Sequence, residues 1–84
     1  IYDVFETQDE PIFVGVVSDG QWETFCRLFG LDALWADEEL RRNNDRVRAR
    51  DRILPAIRAL FGGMTRAQAV ARLERSGLPF APIA

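Results

Sequence analysis

The side chains able to do chemistry here are few in kind: thirteen acids, eleven arginines and one cysteine, with neither histidine nor lysine among the 84 residues. Without imidazole, no Ser-His-Asp or Cys-His arrangement can form within the chain. Cys26 can close no intrachain disulfide and cannot by itself build a structural metal site. A carboxylate-only metal site stays formally open, but no residues are assigned to one. Acid and base work therefore falls to carboxylates: Asp9 with Glu10, Asp37 with Glu38 and Glu39, and the lone Asp19. The first two groups fit solvated turn and cap positions. Asp19 follows an apolar strand and opens a helix, where a rigid scaffold commonly holds functional groups, although helix capping is its simpler role.

The arginines offer a second chemistry. Residues 41–52 carry six of them against Asp45 and Asp51, a pattern compatible with a phosphate-binding face for nucleic acid or for the nucleotide end of a cofactor. A solvated, salt-bridged helix surface explains the same pattern more simply. No aromatic residue interleaves with these arginines, which argues against stacking on single strands. The glycines are scattered, so neither a P-loop nor a dinucleotide fingerprint is present. Trp22 and Trp35 read as core or interface aromatics.

These groups need elements to hold them. Residues 12–17 form a continuous apolar run rich in β-branched side chains, which predicts a central strand buried on both faces. Residues 8–11 supply turn chemistry, so the first segment pairs with this run as a hairpin, with no Asp-Gly or Asn-Gly pair to fix the register. Ser18 and Gln21 have capping-box spacing, and Trp22, Phe25, Cys26 and Phe29 recur as one buried helical stripe, with Cys26 as inert packing. Gly30 and Leu31 end that helix. Asp37 caps a brief turn through Leu40, and Asn43 or Asn44 caps the next helix. In that helix Val47, Leu54 and Phe61 repeat every seven residues, and Ile53, Ile57 and Leu60 widen the stripe. Pro55 predicts a kink or restart near Leu54. Gly62 and Gly63 stop it, and Thr65 with Gln68 opens a last helix ending before Gly77. The apolar, proline-bearing tail of residues 78–83 reads as extended and in need of a cover from elsewhere.

The elements add up to an α+β class: an N-terminal β-hairpin followed by three to four helices in a single domain over residues 1–84. A chain of this length buries only about 60% of the surface it exposes when unfolded, so its modest core leans on a neighbour. The opening at Ile1 agrees with a piece of a longer protein. Net charge is −2, yet residues 1–40 carry ten acids and one arginine while residues 41–84 carry ten arginines and three acids, so the halves are complementary. No secretory signal and no run of about 18 apolar residues is present, which points to a cytoplasmic protein.

Three strings in order carry a family resemblance: Asp19-Gly20-Gln21-Trp22 with Phe25-Cys26, then Asn43-Asn44-Asp45-Arg46-Val47 with Arg50, then Gly77-Leu78-Pro79-Phe80-Ala81-Pro82-Ile83. Together they resemble the class III CoA-transferase family, the CaiB/BaiF type, across nearly the whole chain. Two departures stand out: Asp9-Glu10 replaces the family's Asp-Gly turn, and Leu78 replaces the valine of its exit motif. The resemblance implies the small domain of a two-domain subunit in an interlocked homodimer. It further implies transfer of coenzyme A between carboxylic acids or, in racemase relatives, proton movement at the α-carbon of an acyl-CoA. The acyl-CoA thioester is then a substrate, and no further cofactor is implied. The family's aspartate nucleophile and glycine loop have no counterpart here, so the resemblance transfers no catalytic residue. It places Asp19, flanked by Gln21 and Trp22, at the acyl pocket as substrate-binding residues, with neither nucleic acid nor membrane as partner. The alternative is a stand-alone module that binds nucleic acid or an acidic partner through its arginine-rich helix.

Overall fold

The computed structural model describes residues 1–83, which form β1 (Tyr2–Phe5), β2 (Ile12–Gly15), α1 (Asp19–Leu28), α2 (Asp32–Ala36), a 3-10 turn (Glu38–Leu40), α3 (Asn43–Arg48), α4 (Arg50–Gly62), α5 (Arg66–Leu73) and β3 (Phe80–Pro82). The α+β class holds, with five helices where three to four were expected and a third strand that the sequence reading lacked. The sheet is antiparallel in the order β1-β2-β3.

β1 and β2 pair from Tyr2 opposite Gly15 to Phe5 opposite Ile12. The loop between them carries its own hydrogen bonds in place of an Asp-Gly turn. The Thr7 hydroxyl accepts from the Glu10 amide at 3.1 Å, and Asp9 Oδ1 accepts from the same amide at 2.7 Å. β2 is central as expected, but its two faces differ. Ile12 and Val14 are buried, whereas the opposite face carries a partly exposed Phe13 edge-on to an exposed Tyr2, ring centroids 4.7 Å apart.

The tail is extended as expected, and the chain itself pairs it: residues 80–82 lie antiparallel to β2, Ile12 opposite Pro82 and Val14 opposite Phe80, while Gly15 N–H donates to the Pro79 carbonyl at 2.9 Å. An edge strand is where a sheet tolerates proline. Leu78, just before it, is buried.

Helix α1 follows its sequence signals. The Gln21 amide donates to Ser18 Oγ at 3.1 Å, and Gln21 Oε1 accepts from the amides of Ser18 and Val17. Trp22, Phe25, Cys26 and Phe29 point inward, and the chain leaves through Gly30 at φ +66° with Leu31 N–H bonded to the Cys26 carbonyl at 2.8 Å. Phe5, Phe25, Phe29 and Phe61 form an aromatic centre, with successive ring centroids 5.1 to 5.4 Å apart.

The arginine-rich stretch differs in two respects. Arg42, not Asn43 or Asn44, takes the N-cap of α3 and makes no side-chain cap bond. The helix restarts at Ala49 instead of near Leu54, and Pro55 is carried inside α4, where one i−4 bond is lost near the helix start. That restart turns Val47 out to 62% exposure, so it leaves the expected apolar stripe, while Arg46 turns in. α5 begins with the Thr65 and Gln68 capping box and buries Ala69 and Leu73. No described helix is long and apolar enough to cross a membrane.

Candidate functional site

Arg46 is 1% exposed and is the one buried charged residue among those described. Its Nη1 donates to the carbonyls of Leu40 and Arg41 at 2.8 and 2.9 Å, and its Nη2 to Asp19 Oδ1 at 2.8 Å. The guanidinium carbon lies 5.3 Å from the centre of the buried Trp22 ring, within cation–π range. The arginine thus ties the first turn of α1 to the loop before α3 and leaves the Asp19 side chain 60% exposed.

The three residues singled out in sequence divide accordingly. Asp19 occupies the first helical position, where the N-terminal dipole favours a carboxylate, while Ser18 does the capping. Gln21 spends its carbonyl oxygen on the Ser18 and Val17 amides. Trp22 is fully buried, with its indole N–H unpartnered, so its face supports Arg46 and not an open surface. Arg46 was missed, because within an arginine run it reads as one more solvated charge. Its signal was present in the Asn-x-x-Arg-Val string.

The remaining candidates have structural tasks. Asp9 Oδ1 accepts from the backbone amide of Arg66 at the start of α5, 2.9 Å away; that bond, joined by those from Glu10 and Thr7, holds the carboxyl below the usual carboxylate range. Asp37 caps the 3-10 turn through the Glu39 amide at 3.0 Å and pairs with Arg52 at 3.2 Å. Burial pushes the Cys26 thiol up to about 11, far from the thiolate that reactivity requires. The basic stretch is largely paired inside the chain: Arg46 with Asp19, Arg48 with Asp45, Arg50 with Asp3, and Arg52 with Asp37 and Glu39. Arg41 stacks 4.6 Å over Trp35. Among the described residues no three His, Cys, Asp or Glu side chains gather as a metal site.

Fold and site together define an α+β chain in which a buried arginine clamps a partly exposed carboxylate, Asp19, at the start of α1. The sequence model of CoA-transferase family III matches residues 1–84. An acyl-CoA transferase of Fusarium pseudograminearum is 34% identical over 98% of the chain, which spans 18% of that protein. Succinyl-CoA:glutarate CoA-transferase of Mus musculus is 29% identical over 98% of the chain, which spans 19% of it. The orthorhombic crystal structure of Rv3272 from Mycobacterium tuberculosis superposes with a TM-score of 0.89 at 20% identity, covering 100% of this chain and 24% of that one, a likeness of fold. The chain belongs to CoA-transferase family III, and it spans less than a fifth of the length of these curated relatives.

Proposed function

We propose that these 84 residues are the small domain of a longer CoA-transferase subunit and close an acyl-CoA site whose aspartate nucleophile lies outside them. One observation carries the reading: the family match runs the whole length of a chain spanning 18% of a relative, while its best-placed carboxylate, Asp19, has an arginine for a partner. A carboxylate held by a guanidinium is oriented and already partnered, so it suits lining and positioning better than attack. In this reading the nucleophilic carboxylate elsewhere in the subunit takes the acyl group from the thioester as a mixed anhydride and releases CoA thiolate. The CoA thiolate then attacks the enzyme carbonyl of that anhydride and expels the donor acid, leaving an enzyme–CoA thioester. The acceptor carboxylate attacks this thioester and releases the thiolate as a second anhydride forms, and the thiolate attacks the acceptor's acyl carbonyl to give the new acyl-CoA and the free enzyme carboxylate. Asp19 faces the acyl group, Gln21 holds the helix start that carries it, and Trp22 supports it through Arg46. The substrates are an acyl-CoA and a free acid, with no cofactor beyond the thioester itself. The parent is a cytoplasmic homodimer that sets this domain against a large one.

The test is CoA exchange between an acyl-CoA and a free acid, followed in the full-length parent and in the 84-residue chain. The parent turns over and yields an acyl-enzyme trapped by hydroxylamine; the short chain does neither. Turnover by the short chain that is lost on Asp19→Ala would place the reactive carboxylate inside it and overturn the reading.

A further inference from the structure

The sheet has two outer edges, β1 and β3, and such an edge offers backbone N–H and C=O groups to any further strand. In an antiparallel ladder successive residues bond alternately to one side and the other. The Ile1 and Val16 backbones exchange bonds of 2.9 and 2.6 Å, so Asp3 and Phe5 bond to β2 while Tyr2 and Val4 turn their backbone groups outward. At the opposite edge Gly15 bonds to Pro79 and Ile83 to Pro11, which turns Phe80 and Pro82 outward. Pro82 has no N–H to offer, so β3 is guarded by its own composition. β1 holds no proline, and its guard is a side chain. Asp3 Oδ1 accepts from the Val4 N–H at 2.8 Å, and Oδ2 accepts from Arg50 Nη2 at 2.7 Å, both bonds lying in the open. The carboxylate thus fills an outward donor of β1 and is itself held from the start of α4, 47 residues further along the chain.

We propose that Asp3, held by Arg50, is an autoinhibitory contact that keeps β1 from pairing with β1 of a second copy of this chain. Antiparallel pairing about a two-fold axis at Asp3 sets the outward backbone groups of Tyr2 against those of Val4 from the other copy, and Val4 against Tyr2. That register needs the very N–H that Asp3 occupies. On the face away from the core it joins Tyr2 and Val4, 65% and 45% exposed, as an aromatic and β-branched cross-strand pair at both ends, a favourable combination. A second copy is therefore the strand that β1 fits. At the axis the two Asp3 side chains stand directly opposite each other, and like charges so placed oppose the pairing. One carboxylate fills the donor and repels the partner at once. The inference goes beyond the proposed function and does not rest on it, since the edge is guarded whether or not the parent exchanges CoA.

The experiment is sedimentation equilibrium of three chains: the unsubstituted one, Asp3→Val, and Asp3→Val combined with Val4→Pro. An ion pair open to solvent contributes little to stability and valine suits a strand, so Asp3→Val keeps the dispersed amide spectrum of the folded chain. Val4→Pro removes the outward donor and leaves the β1–β2 ladder intact, because the Val4 N–H takes no part in it. The unsubstituted chain sediments as a monomer up to about 1 mM, Asp3→Val self-associates at least about tenfold more tightly, and the doubly substituted chain returns to the monomer. An unsubstituted chain that already dimerises, or an Asp3→Val chain that associates no more than it does, overturns the proposal. So does association or precipitation of Asp3→Val that survives Val4→Pro, since the contact would then lie on the apolar face of the sheet and not along its edge.

Discussion

Withdrawing a guanidinium from water carries a desolvation cost of several kcal/mol, which only good geometry offsets. Arg46 meets that cost with two backbone carbonyls, one carboxylate and an aromatic face, and the outcome is a fixed relation between Asp19 and the chain some 27 residues later. Asp9 acts in the same way at lower stakes: its carboxylate bonds the first amide of α5. Because its folded pKa lies below the unfolded one, the unfolded chain takes up the proton first as the pH falls. The stability Asp9 contributes is therefore full above about pH 4, the ordinary aspartate value, and is lost as the pH drops through the lower folded value. Asp9→Asn should accordingly lower the thermal midpoint at pH 7, and the gap to the unsubstituted chain should narrow as the pH falls below about 4, the ordinary aspartate value. Thermal scans across pH 2 to 7 check this, and a gap independent of pH would assign Asp9 no titrating role.

At the scale of elements, the short-range signals were legible and the long-range ones were not. Ser18 with Gln21, Thr65 with Gln68 and Gly30 state their own geometry within four residues, and each stands where the spacing put it. Gly30 holds φ at +66° with open space around it, so the strain of a side chain there is purely backbone. Gly30→Ala should cost about 1–2 kcal/mol, whereas Gly62→Ala, at a negative φ with equally open space, should gain about 0.4–1 kcal/mol through the unfolded chain. Urea midpoints of the two variants should move in opposite directions, and equal shifts would remove the conformational argument. The restart at Ala49 was hidden because Ala-Arg-Asp carries no breaker, and Pro55, the visible breaker, falls where the new helix can absorb it. That concealed restart is also why Arg46 could not be told from its neighbours: the inward turn depends on where the helix breaks, not on the residue type. Asp19 was legible as a position, but its partner was not.

For the molecule as a whole, the two ends of the chain are stitched together by contacts that no local pattern announces. Arg66 is the hub: its backbone amide meets Asp9, its guanidinium donates to the Pro11 carbonyl and to the Ile83 carbonyl at 2.8 Å, and it pairs with Glu10. Gln8 N–H meets the Met64 carbonyl at 2.9 Å, and Ile83 N–H meets Pro11 at 3.2 Å. The complementary charge of the two halves is thus spent largely within the fold. The tail follows the same logic, since β2 has a second edge to pair and residues 80–82 supply the strand that pairs it. Deleting residues 78–84 should remove the burial of Leu78, about 2 kcal/mol, together with the β3 ladder and the Arg66 bond to Ile83. The expected result is a urea midpoint lower by an amount equivalent to at least that burial, with loss of exchange protection at the Gly15 amide, which now donates to Pro79. Protection at residues of α1 should weaken only in step with global stability, because their bonds lie within the helix. A deletion that left the Gly15 amide protected and the midpoint unmoved would mean that β2 keeps its edge closed without β3, and the sheet would then be a hairpin with a loosely attached tail.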